Sequence, residues 1–463
     1  MNNAVILAGG MGKRMKSDKP KVLLEVLGKP MLQWVIDACN DAGISNICVV
    51  KGYGADMLDE YLLGSLRTVL QPERLGTGHA VSCASCFLEE FSDGNTLIAC
   101  GDSPFIDPET IKSSLELHIA SKRAVTVITA RLDNPRGYGR IIRSEDGIEG
   151  IVEEKDCSDS QRKINEISSG CYWFNTKKLL EALPRLQRNN SQGEYYLTDT
   201  ISILKSDGCV AQAYLSDNQD SVLGANDRAG LLRLNDIARM KVIFKHLEAG
   251  VELISTDAVT ISPDVKIAPG AKILPGSMLM GKTIIGRDSV IGPNTRLLNV
   301  TVGERSTLDN VVATDSRVGS DAKIGPFVQL RPGSVIADKA HIGNFVEIKN
   351  SAIGKGSSVS HLTYIGDSDV GKNVNFGCGT VTVNYDGSVK SRCEIGDNAF
   401  IGCNTNLVAP VKIGEAAYTA AGSTITKDVP DGALAIERGT QVIKEDYAKQ
   451  KLKRHLEKGK ALD

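Results

Sequence analysis

Several clusters in this chain combine residue types and spacings suited to phosphate chemistry. Ala4-Val5-Ile6-Leu7 reads as a short apolar strand, and Ala8-Gly9-Gly10-Met11-Gly12-Lys13-Arg14-Met15 follows it at once. Glycines there allow backbone N–H groups to approach a phosphate chain, while Arg14 and then Lys21 supply neutralising charge. The loop is not a Walker A sequence, because Arg14 stands where Ser or Thr would hold magnesium. Nor is it a dinucleotide fingerprint, because Met15 occupies the third glycine position. A glycine loop alone fits an ordinary strand-to-helix turn equally well; the basic residues beside it favour an anionic ligand. Leu97-Ile98-Ala99-Cys100 predicts a buried strand ending in Gly101-Asp102, which places a carboxylate in the crevice where α/β folds bind ligands. Gln71-Pro72-Glu73-Arg74-Leu75-Gly76-Thr77-Gly78-His79 forms a second polar glycine loop. Further polar turns lie at Tyr138-Gly139-Arg140, at Val152-Glu153-Glu154-Lys155 and from Gln192 to Asp199.

The elements that must carry these groups differ between the two halves of the chain. Apolar strands such as Ile47 to Val50 alternate with helical stretches in the first half, including an amphipathic helix through Trp34-Val35-Ile36, and predict a largely parallel α/β sheet. From about Ile261 to Ile425 a branched aliphatic residue returns every sixth position, unbroken through Val318, Ile324, Leu330, Ile336, Ile342 and Ile348. A compact residue follows four places later, at Ala322, Val328, Ser334, Ala340, Val346 and Ala352. Period six fits neither a helix nor a hairpin, and predicts a parallel β-helix that turns one residue of each hexapeptide into a narrow interior. At ~18 residues per coil and ~4.8 Å between stacked strands, the column is roughly 40 Å long. The beat slips near Val302, Val312 and Ile353 and resumes at Ile395, Ile401, Leu407 and Ile413. Loops interrupting such a repeat tend to carry function, and an insertion with Asn384-Tyr385-Asp386-Gly387 lies between Phe376 and Ile395. Asn226 to about Gly250 reads as a helix through Leu231, Leu234, Ile237, Met240, Ile243 and Leu247. After Arg438 a Lys-rich segment with Val442, Tyr447, Leu452 and Leu456 predicts a solvated terminal helix.

A chain of 463 residues has room for two or three domains. Net charge of -2 and 5% aromatics give no pull toward nucleic acid or anionic membrane. No apolar run approaches the ~20 residues of a membrane span, and the amino terminus enters a strand without a signal peptide, so a cytoplasmic protein is expected. Eleven scattered cysteines form no disulfide framework. Cys83-Ala84-Ser85-Cys86 has metal spacing but no second pair, which favours plain buried thiols.

The loop from Leu7 to Lys21, with Gly101-Asp102, Gly76-Thr77, Gly193-Glu194-Tyr195-Tyr196 and Gly224-Ala225-Asn226, resembles the sugar-nucleotide pyrophosphorylases. Followed by the hexapeptide array with Ser360-His361-Leu362-Thr363-Tyr364 and Asn384-Tyr385-Asp386-Gly387, essentially the whole chain resembles one family, the bifunctional N-acetylglucosamine-1-phosphate uridyltransferases / glucosamine-1-phosphate acetyltransferases. The resemblance implies a Rossmann-like α/β nucleotidyltransferase domain over residues 1–228 and a linker helix over 229–249. A left-handed parallel β-helix acetyltransferase domain with a C-terminal helix would fill 250–463. It also implies a homotrimer that acts on sugar phosphates, UTP and acetyl-CoA and makes UDP-N-acetylglucosamine for cell-envelope precursors. Two other readings stay open: a nucleotidyltransferase whose β-helix only assembles or regulates it, and a scaffold with a degenerate nucleotide domain.

Uridylyl transfer requires alignment and charge neutralisation rather than a protein nucleophile. Arg14 and Lys21 are the cations for the phosphates. The resemblance implies Mg2+ held by Asp102 and Asn226. It implies Leu7, Ala8, Gly9, Gly10, Gln71, Gly76, Thr77 and Gly101 at the nucleotide. At the acetylated sugar it implies Gly139, Glu153, Ser168, Tyr196, Thr198 and Asn226. Glu166-Ile167-Ser168-Ser169-Gly170 departs from the family pattern, since Ser168 replaces an asparagine and has a shorter reach. Acetyl transfer to an amine needs a base, for which His361 is suited. Arg331, Lys349 and Lys390 offer charge to the sugar phosphate, and Tyr364, Asn375 and Asn384 offer hydrogen bonds. The resemblance places Cys378, Asn384, Tyr385, Cys403, Ala421 and Arg438 along acetyl-CoA, with Cys403 where serine is usual. An acetyl-cysteine route through Cys378 or Cys403 lacks an evident base partner in the sequence.

Overall fold

The computed structural model describes residues 1–145 and 147–457, and the chain divides between Val242 and Ile243 into two compact units. In the first unit, strand Asn2–Ala8 alternates its side chains between two apolar cores. Ala4 and Ile6 pack with Val35, Ile36, Leu58, Ile111 and Trp173 on one side of the sheet. Val5 packs with Val81, Leu88, Leu179, Ile201 and Leu204 on the other. This period of two is what a strand covered by helices on both faces requires. Trp173 is fully buried and donates its indole N–H to Ser114 Oγ at 3.1 Å, so its polar edge is satisfied.

Among the described residues the sheet has nine strands. Arg67–Leu70, Asn46–Lys51, Asn2–Ala8 and Asn95–Cys100 run parallel in that order. Glu166–Asn175 then lies antiparallel to both its neighbours, Asn95–Cys100 and Val125–Arg131. Ala211–Leu215 returns parallel to Val125–Arg131, and the hairpin Arg140–Ser144 with Gly147–Val152 closes the edge. The sheet is therefore mixed, and the largely parallel expectation holds: Val125–Arg131 and Ala211–Leu215 run in the same direction as the first four strands, with Glu166–Asn175 reversed between them. Strand direction is set by which partner a segment finds, which no local pattern encodes.

Helix Arg228–Glu248 begins as part of this unit. Arg228 Nε donates to Met15 O at 2.9 Å, Leu27 N donates to Asn235 Oδ1 at 2.9 Å, and Leu231, Leu234 and Ala238 are buried. Leu247, expected on the buried stripe, is exposed.

The second unit is a left-handed parallel β-helix whose three faces carry, among the described residues, 11, 10 and 9 strands, starting at Glu252–Leu253, Thr260–Ile261 and Lys266–Ile267. Ten spacings of ~4.8 Å make the longest face about 48 Å, somewhat beyond the expected column, because coils continue to Leu434–Ala435. Equivalent aliphatics stack in register, as in Ile273 on Ile291 and Ile324 on Ile342, and each fully buried one contributes about 1.5–3 kcal/mol. Two residues of each hexapeptide point inward rather than one: Ile324 and Ala322, Ile342 and Ala340, Ile348 and Val346 are all buried. The slips fall one residue from where the beat suggests. Ala313, not Val312, pairs with Leu297 and is buried, while Val312 is 44% exposed. Likewise Ser351 is buried and Ala352 turns partly outward. Ala313 thus takes the interior position that Leu297 and Leu330 hold in the neighbouring coils.

Left-handed backbone at the corners is met mostly by Asn and Asp, such as Asn294, Asn310, Asp315 and Asn404, the residues that tolerate it after glycine. Phe327, Phe345, His361 and Leu362 adopt it too, with φ of 59°, 58°, 67° and 52°. Such conformations in bulky residues persist only where the surrounding structure enforces them. Tyr447–Glu457 is an exposed helix, and the tail from 458 lies outside the described residues. No helix among the described residues is long and apolar enough to cross a membrane.

Candidate functional sites

Leu7 and Cys100 are paired in register at the ends of adjacent parallel strands, so the loops Ala8–Gly12 and Gly101–Asp102 leave the sheet side by side. Gly101 N donates to Leu7 O at 3.0 Å. A side chain on Gly9 would meet Gln71 Oε1 at 2.9 Å, so the Gln71 amide would have to move aside for it. Lys21 reaches back to this junction: its ammonium donates to the Asp102 carboxylate and, at 3.0 Å, to Asn226 Oδ1. Three residues spread over most of the unit thus meet at one point.

That point stands beside two cavities. One, of about 550 Å³, is walled by Leu7, Gly9, Gly10, Lys21, Gln71, Gly76, Thr77 and Asp102, with Lys13, Arg74 and Glu194 also present. Ala8 and Gly101 are buried behind this wall. Arg14 does not join it. Gly12 at φ 60° starts a short turn in which Met15 goes into the core, which leaves Arg14 in solvent and Lys13 on the cavity. The second cavity, about 220 Å³, is lined by Gly139, Glu153, Ser168, Thr198 and Asn226, and shares Leu7, Thr77, Cys100 and Asp102 with the first. Tyr196 stands outside the lining, its hydroxyl accepting from Gln192 Nε2 at 2.7 Å. Tyr138, Tyr172 and Ser169 are added to it. The sequence held a signal for Tyr172, since strand alternation from Ser168 returns to the same face at 170 and 172.

Burial raises the Glu153 carboxyl, helped by Asp156, Asp199 and Glu194 nearby. Burial also pushes the Cys100 thiol well up, with Asp102 and Cys171 adding to it, so it stays an inert wall. Thr198 Oγ1 is buried with no hydrogen-bond partner among the described residues. An unsatisfied hydroxyl facing a polar cavity is a place prepared for a ligand group.

On the β-helix the functional candidates gather along two corners of the second face. His361, Cys378, Cys403 and Ala421 occupy the same corner in successive coils. Gly379 N donates to His361 O at 3.1 Å, Asn404 N to Cys378 O at 2.7 Å and Gly422 N to Cys403 O at 2.8 Å. Arg438 Nη1 caps the row on Ala421 O at 3.3 Å. Asn375 sits just before this corner, on the first face. At the other corner Asp367 gathers Lys349 Nζ at 2.9 Å, Asn350 Nδ2 at 2.6 Å and the Asn384 amide. Tyr364 lies on the strand between the corners, its hydroxyl filling the space where a side chain on Gly366 would begin. Arg331 is paired with Glu347 at 3.0 Å. Lys390 bridges to Tyr385 within the insertion, where the Tyr385 hydroxyl donates to Gly387 O at 2.7 Å.

Asp367 lies in none of the sequence motifs, yet it organises two of the expected site residues, Lys349 and Asn384. Burial alone would raise its carboxyl; hydrogen bonds from Asn350, Lys349 and Asn384 outweigh this and hold it at about 2. The same contact pushes Lys349 up. Asp367's contribution is therefore complete above the ordinary carboxylate range and is lost as pH falls through about 2. That of Lys349 is present below the ordinary lysine range and is lost as pH rises through its elevated pKa. Across neutral pH the pair stays ionised. Both side chains are mostly buried, at 17% and 8% exposed, so Asp367→Ala is expected to cost about 3–5 kcal/mol by stranding Lys349. Denaturant unfolding measures this, and an unchanged midpoint would show that the pair does not hold the corner.

Phe327, Phe345 and Leu362 stack beside the His361 corner, 55%, 56% and 64% exposed, with the two phenyl rings 5.1 Å apart. With Val312 and Val381 they line an open groove of about 720 Å³.

A family model described as a MobA-like NTP transferase domain matches residues 4–198. Bacterial transferase hexapeptide repeats match residues 264–299, 315–350 and 392–427. The chain is 49% identical to the bifunctional protein GlmU of a Geobacillus species over 445 residues, covering 96% of this chain and 97% of the other. It is 46% identical to GlmU of Acetivibrio thermocellus over 449 residues, 97% of each chain. To GlmU of Clostridium acetobutylicum it is 47% identical over 450 residues, 97% of this chain and 98% of the other. With both halves matched and the likeness running through nearly the full length, this chain belongs to the GlmU family of bifunctional proteins.

Proposed function

We propose that the second unit acetylates glucosamine 1-phosphate from acetyl-CoA and that the first transfers UMP from UTP to the resulting N-acetylglucosamine 1-phosphate, releasing pyrophosphate. The product, UDP-N-acetylglucosamine, feeds cell-envelope precursor synthesis. Carrying this reading is the meeting of Lys21, Asp102 and Asn226 at the junction of two cavities, one suited to a nucleotide and one to a sugar phosphate. In it the larger cavity takes UTP against Gly9, Gly10, Gln71, Gly76 and Thr77, and Lys21 and Lys13 neutralise phosphate. The smaller takes the acceptor sugar, with Glu153 accepting from hydroxyls and Thr198 filling its open hydrogen bond. The sugar phosphate's own oxygen attacks the α-phosphorus, so the protein aligns the two and stabilises charge.

Magnesium fits beside Asp102 and Asn226. Their oxygens already converge on one cation, the Lys21 ammonium, and no group of three or more His, Cys, Asp or Glu gathers among the described residues. A hard ion that keeps most of its water suits so spare a donor set, and when bound it would neutralise phosphate oxygens.

In the second unit His361 takes the amine proton as the thioester carbon is attacked. Lys349, held by Asp367, and Arg331 and Lys390 meet the sugar phosphate, while Tyr364, Asn375 and Asn384 meet its hydroxyls and amine. The row of Cys378, Cys403, Ala421 and Arg438, with Tyr385, borders the coenzyme. We assign the division of labour to residues 1–228 and 250–463, joined by the 229–249 helix, and place the protein in the cytoplasm with UTP and acetyl-CoA. Separate assays of pyrophosphate release from UTP and of coenzyme A release with glucosamine 1-phosphate test the two activities. Absence of the second would leave the β-helix an assembly module.

A homotrimer is part of the proposal, supported by the exposed Phe327, Phe345 and Leu362 stripe, which is more apolar than a free corner needs. Phe345→Asp should shift the protein from trimer to monomer by light scattering and lower acetyl transfer at least about 10-fold, the effect of losing a buried aromatic anchor. A fully active monomeric wild type would overturn it.

A further inference from the structure

Tyr172 has no part in the roles assigned so far, yet it lines the acceptor cavity and touches Ser168, the residue that stands in place of the family's asparagine. Resting on the reading of that cavity as the acceptor-sugar site, we infer that Tyr172 is a specificity-determining residue: paired with Ser168, it supplies the hydrogen-bond donor that recognises the acetamido carbonyl of N-acetylglucosamine 1-phosphate.

A proton count carries the inference. Ser168 Oγ lies 3.0 Å from the Tyr172 hydroxyl and accepts from Gly170 N at 3.2 Å. Neither side chain makes another hydrogen bond among the described residues. Two hydroxyls own two protons and spend one between them, so the pair keeps one donor in hand. Both residues line the cavity, so the pair can offer the spare proton to a ligand bound there. The serine and tyrosine together therefore offer what an asparagine amide would offer alone, and the tyrosine restores the reach that serine lacks.

The backbone is built to bring the two together. Four residues of regular strand would separate positions 168 and 172 by about 13 Å. Pairing with Val125–Arg131 slips between Ser168 and Tyr172, and Gly170 takes φ 75° at the slip. A side chain on Gly170 would come within 2.8 Å of Cys100 Sγ, so glycine is needed both for the bend and for the space. Burial pushes the Tyr172 phenol up, and it remains a donor through the working pH range.

The test is the ratio of kcat/KM for N-acetylglucosamine 1-phosphate over glucose 1-phosphate in the full-length protein. Tyr172→Phe keeps the ring and removes only the hydroxyl. It is expected to lower the ratio roughly 3- to 10-fold, the effect of one neutral hydrogen bond, with glucose 1-phosphate itself changed less than about twofold. Combining it with Ser168→Ala should lower the ratio further, because the single variant leaves the serine proton free. An unchanged ratio, or an equal loss for both sugars, overturns the inference; the equal loss would mean that the ring merely packs the wall. A wild-type protein without preference for N-acetylglucosamine 1-phosphate overturns the acceptor-site reading and this inference with it.

Discussion

Asp102→Ala is expected to lower uridylyl transfer by roughly 1000-fold, the several kcal/mol of charge stabilisation that a bound metal ion supplies, while coenzyme A release stays at the wild-type rate. Among the described residues Asp102 is the one carboxylate lining both cavities, and with Asn226 it holds Lys21 in place. Removing it both deletes an oxygen donor and frees the ammonium. Asp102→Asn keeps the hydrogen-bond acceptor for Lys21 but loses the charge, so comparing the two variants separates positioning of the lysine from cation binding. Pyrophosphate release and coenzyme A release are measured side by side. Equal loss of both in a folded variant would break the assignment of the two activities to different units.

His361→Ala should do the reverse and lower acetyl transfer by about 100- to 10,000-fold, as expected for a lost general base. Alanine is also strained at φ 67°, so His361→Asn is the informative companion, since asparagine tolerates left-handed backbone. Loss in both variants identifies the imidazole rather than the backbone as the cause. Across the neutral range the Lys349–Asp367 pair stays ionised, because the carboxyl is held low and the ammonium high, so it brings no titration of its own to acetyl transfer. Coenzyme A release unchanged by the substitution would remove His361 from the mechanism and leave Cys378, its neighbour one coil away on the same corner, as the group to examine.

The six-residue beat determined the second unit from sequence alone, because each coil meets only the next and a repeated local pattern is also the tertiary contact pattern. Its compact residues, its insertion and the positions of His361, Tyr364 and Asn384 were legible for the same reason, apart from the one-residue shifts at Ala313 and Ser351. The glycine loop and the carboxylate after Cys100 were legible too, as strand-end chemistry. Other features were decided only by the folded chain. Direction and order of the Glu166–Asn175 strand depend on partners far away in sequence. So do the convergence of Lys21, Asp102 and Asn226, the exchange of Arg14 for Lys13 on the cavity, and the exclusion of Tyr196 from the lining. Asp367 has no motif, and its importance arises from three donors brought to it by neighbouring coils and the insertion. Tyr172 lies four residues from Ser168, and only the slip in the strand pairing at Gly170 brings their hydroxyls together. Local patterns report which face of an element is buried; which polar atoms meet there is a property of the packed whole.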